Sequence, residues 1–405
     1  MPQWKILMGQ INLFSDLRTP CFILDKAELE RSIKGFGEAL HYHFSRYTVG
    51  YSVKTNSVPY CLKAAGFLGC YAEVVSSDEY NLARTCGFKE SQIIYNGPMK
   101  SKETFIEAVI GGAVVNIETK RELGWLHELP KDKKYSIGLR LNINISKVSP
   151  EDADGDNDNS RFGFSDETNE FVEAIKVIGT MQNVCLSGLH IHRTAHSRSL
   201  RFYDNSIRYA CKLINKYGLK LNYLDVGGGY FGIFPNKPTY QQYSDVFYHA
   251  LKDYGLEHLR VIVEPGNALV ASCFHFLSEV IDVKHVEKGR WFITTDGSRN
   301  DIDPFFRKSG YITEFLSCGD GQIVEEQVIS GCTCLEYDRL FTIENSKLLE
   351  TGDRILYKNV GAYTMCLTPL FIRYFPRIYV IKDTEISLIR DRWGAKEYIQ
   401  KSEIQ

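Results

Sequence analysis

The feature that most constrains the fold is an alternation of short apolar runs and longer amphipathic stretches between Tyr47 and Glu264. Eight runs are rich in β-branched residues and have the length of buried strands. These predicted strands are Tyr47–Val53, Gly69–Val75, Gln92–Tyr95, Ala113–Ile117, Ser136–Leu141, Val184–His192, Leu221–Val226 and Leu259–Val263. The predicted helices between them are Ser77–Cys86, Ser101–Ala108, Lys120–Leu129, Asp166–Ile178, Ser197–Tyr217 and Gln241–Tyr254. The alternation predicts an α/β fold, a (β/α)8 TIM-like barrel, with a doubly wound open sheet as the alternative.

Every predicted barrel strand ends at or near a polar side chain or a glycine turn. These positions are Lys54, Glu73, Asn96, Glu118, Arg140, His192, the Gly227-Gly228-Gly229 turn and Glu264. Barrel enzymes build their active sites from the C-terminal ends of several strands, so this distribution favours the barrel. A single polar residue could mark only the point where a strand reaches solvent, but eight together favour a functional site.

After Glu264 the sequence changes to short β-rich segments with few helical patterns. These segments are Leu269–Val283, Trp291–Thr295, Glu325–Cys334, Arg354–Val360 and Ile378–Ile381. They predict an all-β second domain, and Pro20–Leu24 is a candidate strand of the same domain. We therefore assign residues 28–268 to the barrel, and residues 1–27 and 269–405 to a β-rich domain that completes the active site.

Composition narrows the classes of function and the compartment. Lys and Arg number 48 and Asp and Glu number 50 among 405 residues, so no excess of basic charge favours nucleic acid or an anionic membrane. No apolar run approaches the roughly 18 residues of a transmembrane helix, and the N-terminal residues do not resemble a signal peptide. The 11 cysteines include no CxxC pair. They indicate reduced thiols and a cytoplasmic protein.

Two segments invite a metal interpretation. The acidic stretch 151–158 superficially resembles a calcium loop, but Gly155 is misplaced and no glutamate follows at the required distance, so we interpret it as a solvated loop. His190 and His192 share one face of a strand. They could bind a metal, or His192 could stack on a planar cofactor while His190 packs nearby. The remaining histidines do not fall at barrel strand ends, which favours the second interpretation and no bound metal.

Several of these groups have specific chemistry. A lysine in the mouth of a barrel, such as Lys54, is partly desolvated and can form a Schiff base. The turn Gly227–Gly229 lets backbone N–H groups approach a phosphate. Glu264 needs a cationic or proton-donating partner, and a protonated pyridine nitrogen would satisfy it. Cys332 and Cys334, which we expect on a strand, are either structural or a proton donor beside a carboxylate.

In their order along nearly the whole chain, these motifs resemble the fold-type III pyridoxal-phosphate decarboxylases, the diaminopimelate and ornithine decarboxylase family. The matching segments are Thr19-Pro20, Tyr51–Asn56, Glu73–Glu79, Asn96-Gly97-Pro98, Glu118–Leu123, Arg140, Arg161-Phe162-Gly163, Gly188–His192, Asp225–Gly229, Glu264-Pro265-Gly266, Cys334 to Asp338 and Gly361-Ala362-Tyr363. The resemblance implies an alanine racemase-like fold and pyridoxal 5'-phosphate as cofactor. It also implies an amino-acid substrate and a homodimer with active sites at its interface.

The resemblance also implies a role for each matching residue. Lys54 would attach the cofactor, His192 would stack on its ring, Glu264 would bind the pyridine nitrogen, and Cys334 would protonate the substrate carbon after carbon dioxide leaves. The cofactor-binding positions are Lys54, Glu73, Arg140, His192, Arg193, Thr194, Gly227, Gly228, Gly229, Glu264, Gly266, Asn267 and Tyr363. The substrate-binding positions are Asp296, Asp303, Leu335, Glu336, Asp338 and Phe371.

Two departures from the family pattern concern the cofactor phosphate. Asn267 stands where an arginine usually follows Glu-Pro-Gly, and Ala195 stands where a serine usually follows the histidine motif. Both usual residues bind phosphate in the family. We hypothesise that Arg193 or Thr194 replaces these contacts.

Two further departures concern the distal end of the substrate. Asp303 replaces an arginine of the diaminopimelate enzymes, which argues against a distal carboxylate because its bidentate partner is missing. Leu335 replaces the acid that usually follows the cysteine, which argues against plain ornithine or lysine. Asp296 matches an amine-binding aspartate of the ornithine enzymes, so a cationic or polar distal group fits. An unusual amino acid from a biosynthetic pathway is the predicted substrate.

Three other functions stay open from the sequence alone. A racemase or epimerase on the same cofactor could use Cys334 and Lys54 on opposite faces of the substrate carbon. A non-catalytic relative is favoured by Asn267 and Ala195 but opposed by the retained Lys54 and Glu264. A metal hydrolase is the third.

Overall fold

The computed structural model describes Phe14 and residues 16–153, 160–193, 195–287, 289–316 and 321–403. The chain divides into two compact units, Glu30–Leu269 and a discontinuous unit of Met1–Leu29 with Val270–Gln405. Thr194, most of the N-terminal stretch of the predicted second domain, and residues 154–158 of the predicted solvated loop lie outside the described residues. Within the described ranges, no helix is both long and apolar enough to cross a membrane.

The strands and helices follow one another in near-regular alternation through the first two thirds of the chain. The strands are β1 (Cys21–Asp25), β2 (Tyr47–Ser52), β3 (Tyr71–Ser76), β4 (Ile93–Met99), β5 (Val114–Ile117), β6 (Tyr135–Asn142), β7 (Phe164–Ser165), β8 (Val184–His190), β9 (Tyr223–Asp225), β10 (Arg260–Val263), β11 (Phe274–Glu287), β12 (Arg290–Thr295), β13 (Ile312–Leu316), β14 (Ile323–Ser330), β15 (Arg339–Lys347), β16 (Arg354–Lys358), β17 (Arg377–Lys382) and β18 (Glu385–Arg390). The helices are α1 (Lys26–His41), α2 (Pro59–Phe67), α3 (Ser77–Thr85), α4 (Lys102–Ile110), α5 (Lys120–Trp125), α6 (Ile145–Val148), α7 (Glu170–Gly179), α8 (Leu200–Lys216), α9 (Tyr240–Lys252), α10 (Asn267–Val270), α11 (Arg299–Ile302) and α12 (Ala395–Tyr398).

The unit Glu30–Leu269 is a closed parallel barrel. Its eight strands are ordered β5-β4-β3-β2-β10-β9-β8-β6, and the pairing of β5 with β6 closes the ring. The two-residue strand β7 pairs with β6 outside this ring. Each of the eight predicted strand runs overlaps one barrel strand, so the prediction of a (β/α)8 barrel is confirmed and the open sheet is wrong. Closure leaves the eight strands without a free edge.

Serine and threonine caps determine where several barrel helices begin. Each cap side chain accepts a hydrogen bond from a backbone N–H of the first helical turn, which satisfies a donor that the helix itself cannot. The capping residues are Ser76 before α3, Ser101 before α4, Thr119 before α5, Ser199 before α8 and Thr239 before α9. The predicted start of α7 at Asp166 is wrong by four residues, because Asn169 takes a left-handed conformation (φ 63°) and α7 begins after it.

Inside the barrel, two glycines make room for one tyrosine. A side chain at Gly188 would overlap the ring of Tyr223, and one at Gly138 would overlap the Tyr223 hydroxyl and Asn116 Oδ1. The Tyr223 hydroxyl is thereby able to donate a hydrogen bond to Asn116 Oδ1 at 2.9 Å. This buried contact places a polar amide in the barrel interior, close to the C-terminal ends of the strands.

The second unit is mostly strand. Its sheet is ordered β15-β14-β12-β11-β1-β17-β18, and β16 joins β11 to β13 outside that path. Strand β1 pairs with β11 and β17, so the placement of Pro20–Leu24 in the β-rich sheet agrees with the structure. The use of this unit as the domain that completes the active site stays a prediction.

Boundaries of two of the β-rich segments are wrong. The segment predicted to start at Leu269 begins with helix α10, and its strand starts only at Phe274. The segment predicted to run to Cys334 ends at Ser330, so Cys332 and Cys334 lie in the following loop and not on a strand. Asp338 explains this loop, because its carboxylate accepts hydrogen bonds from the Thr333 backbone and hydroxyl (3.1 and 2.6 Å).

Candidate active site

The lysine at the end of β2 has a buried acid as its partner. Lys54 lies in the 3-10 turn Val53–Thr55 directly after the strand, and its Nζ donates to Glu73 Oε2 at 2.6 Å. Glu73 is 1% exposed and also accepts from Ser52 Oγ at 2.6 Å. Because a buried carboxylate is costly unless it is paired, this ion pair keeps Lys54 at the barrel mouth.

A single amide connects that acid to a second one. Asn96 Nδ2 donates to Glu73 Oε1 at 3.2 Å and to Glu264 Oε1 at 2.5 Å. Glu264 is 3% exposed and follows β10. Asn96 therefore links the partner of Lys54 with the carboxylate that we predicted as a pyridine-nitrogen acceptor.

A third acid, Asp225, and a histidine, His190, lie close to Glu264. Asp225 is fully buried and accepts from Gly227 N at 3.0 Å and from Asn116 Nδ2 at 3.2 Å. Burial, the nearby charge of Glu264 and a hydrogen bond with it raise the pKa of Asp225 well above its usual value. His190 Nε2 lies 3.5 Å from Glu264 Oε2. Burial and the positive charge of Arg140 hold the pKa of His190 well below its usual value, so its ring is neutral at pH 7.

Arg140 ties the next strand ends together. Its Nη1 donates to both oxygens of Glu118 at 2.9 Å, and its Nη2 donates to the His192 carbonyl at 2.8 Å. Burial would raise the pKa of Glu118, but the charges of Arg140 and Lys100 outweigh it and lower that pKa. The segment that carries His192 is thus anchored by a buried ion pair.

The orientation of His192 depends on the glycine turn. Gly228 N donates to His192 Nδ1 at 2.8 Å, so Nδ1 carries no proton and the neutral ring has its proton on Nε2. Burial and Arg140 also hold the pKa of His192 well below its usual value. A side chain at Gly227 (φ 69°) would come within 2.5 Å of His192 Nδ1, and one at Gly228 would overlap the Glu264 carbonyl. The turn therefore requires glycine to pack against both residues.

The remaining predicted cofactor-binding residues are Gly229, Gly266, Asn267, Arg193 and Tyr363. A side chain at Gly266 would overlap Thr55, so this glycine lets the chain after β10 approach the turn that carries Lys54. Gly229 adopts φ 91° beside the Tyr203 hydroxyl. Asn267 is the partly buried first residue of α10, and Arg193 is partly buried after His192. Tyr363, in the second unit, is 40% exposed with φ 56°.

In the second unit, one predicted substrate residue organises the loop after β14. The buried Asp338 accepts from Ser298 Oγ at 3.0 Å and from the Arg299 backbone at 2.9 Å, besides its bonds to Thr333. Cys334 and Glu336 are exposed in this loop, and Leu335 is partly buried. Phe371 lines a small pocket with Cys332 and Arg373. Asp338 therefore holds the loop of Cys334 in place.

The two remaining predicted substrate residues are engaged inside the second unit. Asp303 is 4% exposed, and its Oδ2 accepts from Arg299 Nη2 at 2.9 Å and from Lys308 N at 3.0 Å. Asp296 is partly buried and accepts from Glu279 N at 2.8 Å, and burial raises the pKa of its carboxyl. Of these two, only Asp296 keeps part of its side chain exposed to a ligand.

The barrel mouth thus combines an amine, a buried carboxylate acceptor, a neutral imidazole and a glycine turn that accommodates no side chain. This donor set matches the chemistry of pyridoxal 5'-phosphate, which needs an amine, a partner for its ring nitrogen and a phosphate site. A sequence model described as pyridoxal-dependent decarboxylase, pyridoxal binding domain, matches residues 26–271. The chain belongs to the pyridoxal-dependent decarboxylase family. It is a carboxy-lyase with pyridoxal 5'-phosphate as cofactor.

Similar proteins cover nearly the whole chain of this decarboxylase. The diaminopimelate decarboxylase of Methanocaldococcus jannaschii is 24% identical, over 96% of this chain and 92% of that protein. That of Helicobacter pylori strain J99 is 26% identical, over 97% of each.

Solved structures agree on the fold. The M. jannaschii diaminopimelate decarboxylase superposes with a TM-score of 0.86 at 23% identity, covering 98% of this chain and 94% of that one. The arginine decarboxylase of Paramecium bursaria Chlorella virus gives a TM-score of 0.76 at 21% identity, covering 93% and 100%. At these identities the likeness shows a common fold.

Sequence reasoning missed part of the site. Asn116 and Tyr203 were not predicted, although Asn116 contacts Asn96 (2.8 Å) and Asp225, and the Tyr203 hydroxyl donates to the Gly228 carbonyl at 2.9 Å. Asn116 had a signal in the sequence, since it interrupts the apolar run Val114–Ile117. Tyr203 had none, because a tyrosine on the buried face of α8 is ordinary core.

Proposed function

We propose that this decarboxylase acts on an amino acid with a cationic or polar distal group, and that Lys54 holds its cofactor. The observation that carries the proposal is the hydrogen-bonded chain Lys54–Glu73–Asn96–Glu264, which joins the amine after β2 to the carboxylate after the neighbouring strand β10. When bound, pyridoxal 5'-phosphate supplies a conjugated ring that accepts the electron pair of the breaking Cα–carboxylate bond.

Glu73 prepares the amine. Lys54 must lose a proton before it can attach a carbonyl group. Glu73 Oε2, at 2.6 Å, is the nearest acceptor and is held in place by Ser52 and Asn96. Glu73 thus orients Lys54 and can take its proton.

Glu264 would bind the nitrogen of the cofactor ring, and His192 would stack on the face of that ring. Glu264, fixed by Asn96, provides a negative charge where a protonated ring nitrogen needs a partner. His192 presents a neutral ring because Gly228 N occupies its Nδ1. A neutral imidazole can stack on the cofactor without adding positive charge that would compete with Glu264.

The phosphate would bind at the turn Gly227–Gly229, where no side chain blocks the backbone N–H groups. Asn267 and Ala195 lack the charge and hydroxyl that are usual in the family, so Arg193 supplies the compensating cation in this proposal. An Arg193→Ala variant should bind the cofactor more weakly, and unchanged affinity would remove Arg193 from this role.

Cys334 would complete the site from a second copy of the chain in a homodimer, and Tyr363 would help to bind the phosphate. Both side chains are exposed, so they are accessible to a ligand or to a second chain. In this arrangement Cys334 donates the proton to the substrate carbon, and Asp338 holds its loop through Thr333 and Ser298.

The substrate class follows from the acids of the second unit. Asp303 replaces the arginine that would pair with a distal carboxylate, and it is itself neutralised by Arg299. Asp296 retains partial exposure and would bind a cationic or polar group. Phe371, Leu335 and Glu336 are the further candidates for contact with the distal end.

The proposal includes a cytoplasmic location. Cys61 and Cys70 are fully buried, and burial raises the pKa of each thiol, to about 12 for Cys70. Buried thiols that stay protonated and reduced suit a reducing compartment.

The direct test is carbon dioxide release by the purified enzyme with pyridoxal phosphate and a panel of amino acids. The panel comprises lysine, ornithine, arginine, diaminopimelate and glutamate, together with derivatives that carry polar distal groups. We expect turnover with derivatives that carry cationic or polar distal groups, and little with diaminopimelate, glutamate, plain ornithine or plain lysine. Lys54→Ala should abolish release, whereas Lys63→Ala, an exposed lysine of α2, should not. A preference for diaminopimelate would overturn the substrate class, and no release from any substrate would overturn the catalytic proposal.

A further inference from the structure

Two buried carboxyl groups of the barrel, Asp225 and Glu264, have no lysine or arginine partner among the residues that the structure describes. Asp225 is 0% exposed and Glu264 is 3% exposed. The cations around them are matched to other acids, namely Lys54 to Glu73, Arg140 to Glu118 and Lys100 to Glu122. Among the described residues, only the neutral His190 lies within ion-pair distance of Glu264. Two adjacent negative charges here would be costly, so the pair needs a proton.

The two carboxyl groups are close enough to share that proton. One oxygen of Asp225 and one of Glu264 lie within 4.8 Å of each other. Ionised carboxylates only accept hydrogen bonds, so a hydrogen bond between the two groups requires one of them to be protonated.

The surroundings distinguish the two acids. Glu264 accepts a hydrogen bond from Asn96 Nδ2, and in the proposed function it faces the protonated ring nitrogen, which stabilises its anion. Asp225 accepts hydrogen bonds only from the uncharged donors Gly227 N (3.0 Å) and Asn116 Nδ2 (3.2 Å) among the described residues. Asp225 is also the deeper acid, with 0% exposure against 3% for Glu264, so it is the better place for the proton.

We propose that Asp225 is a positioning residue that carries the single proton of this carboxyl pair and donates it to Glu264, holding Glu264 as the anion that faces the cofactor ring. Gly227 N donates a hydrogen bond to the Asp225 carboxyl group and so connects this pair to the turn Gly227–Gly229. One residue thus sets the charge at the ring nitrogen and the position of the turn.

Other charged and titratable groups face Asp225 and favour its neutral form. Glu73 on β3 adds negative potential, and burial together with Glu264 raises the pKa of Asp225. Tyr223 on β9 and Tyr230 after the turn are uncharged, because burial raises their pKa values. His190 on β8 is neutral for the reason given above. Lys54, the cation in this part of the barrel mouth, is engaged with Glu73.

The inference rests on the proposed role of Glu264, but its first test needs no turnover. Infrared spectroscopy of the holoenzyme, with aspartate carboxyls labelled with carbon-13, detects the C=O stretch of a protonated aspartic acid. The measurement is made at about pH 8.5, well above the pKa of about 7 that burial gives Glu79, so that Glu79 is ionised.

We expect a label-sensitive band that Asp225→Asn removes and Asp152→Asn leaves intact. Asp152 is a matched control because it is buried in the same unit but ionised, its pKa being lowered by Arg201 and three serines that outweigh burial. If the spectrum of Asp225→Asn keeps the whole band, Asp225 is ionised in the wild-type protein and the inference is wrong.

A second test separates positioning from mere folding. Asp225→Asn keeps a donor toward Glu264, whereas Asp225→Ala removes it. We expect Asp225→Asn to retain the pH dependence of cofactor absorbance and most of kcat. Asp225→Ala should lower kcat by about 10- to 100-fold, the effect of losing a hydrogen bond to a charged group, while the cofactor stays attached to Lys54. Equal losses in both variants, or none in Asp225→Ala, would overturn the inference. Failure of the cofactor to attach to Lys54 in the wild-type protein would instead overturn the proposed function.

Discussion

At the scale of the residue, the buried ion pair of Lys100 and Glu122 stabilises the barrel unit. Lys100 and Glu122 are both inaccessible and lie 3.2 Å apart, and Lys100 also donates to the carbonyls of Gly97 and Asn116. Removing one partner of such a pair leaves an uncompensated buried charge. An exposed pair loses little, because water replaces the partner.

Lys100→Met should therefore lower the free energy of unfolding by about 3–5 kcal/mol. Lys102→Met is the matched control, because Lys102 pairs with Glu128 at the surface, with side chains 45% and 53% exposed, and should cost less than about 1 kcal/mol. Urea denaturation at neutral pH measures both. Similar losses in the two variants would contradict the role of burial.

His275 on β11 should make the protein sensitive to mild acid. Burial lowers the pKa of His275 from 6.5 to about 4. Below pH 6.5 the unfolded chain binds a proton that the folded protein does not, so stability falls as the pH decreases toward 4. Between pH 6.5 and 5 this one group contributes a loss of about 2 kcal/mol.

His275→Leu should remove that part of the pH dependence when unfolding is measured in urea at both pH values. His258→Leu, at an exposed histidine, should leave the dependence as it is in the wild type. If His275→Leu loses as much stability on acidification as the wild type, the histidine is already charged in the folded protein.

The catalytic lysine and its surroundings were predictable only in part. Lys54, Glu73 and Glu264 could be singled out because each ends a run with strand periodicity. The bridging role of Asn96 could not, because it depends on which strands become neighbours when the barrel closes. Tyr203 lies outside the strand ends altogether, so strand periodicity gives no indication of it.

At the scale of the element, the glycine turn joins the ends of β8, β9 and β10. Gly228 packs against the Glu264 carbonyl, and its N–H donates a hydrogen bond to His192. The position of the turn therefore affects the positions of the imidazole and of Glu264. A change in the turn is therefore expected to act on all three.

Gly228→Ala should displace the turn, because a methyl group would overlap the Glu264 carbonyl. Overpacking of this kind costs about 1–3 kcal/mol, so we expect cofactor affinity to fall by about 10- to 100-fold. Gly124→Ala in α5 is the control, since nothing lies within 4 Å of the added methyl group. Titration with pyridoxal phosphate measures both, and unchanged affinity in Gly228→Ala would contradict the packing argument.

Buried strands with continuous apolar runs were predictable, and exposed edge strands were not. The barrel strands were recognised because they are buried on both faces and form apolar runs. Strands β15 and β18 were missed because much of each strand is exposed, and β15 has few apolar residues among its polar ones. The end of β14 was misplaced because Cys332 and Cys334 have strand-like composition, while Asp338 folds their segment into a loop.

At the scale of the whole molecule, the proposed homodimer predicts complementation. Lys54→Ala and Cys334→Ala chains should each be inactive alone. Random mixing makes half of the dimers mixed, and each mixed dimer holds one intact site, so about a quarter of wild-type activity should return. Mixtures of Lys54→Ala with Glu264→Ala are the control, because both residues lie in the barrel unit and no intact site can form. Equal activity in the two mixtures would contradict a shared site.

The attachment of the cofactor to Lys54 is the central claim, and borohydride reduction followed by peptide mass mapping tests it most directly. Reduction of the purified protein with pyridoxal phosphate should leave a pyridoxyl group on the peptide that contains Lys54, and Lys54→Ala should abolish it. A protein that acquires no adduct on Lys54, or acquires it on another lysine, would contradict the account.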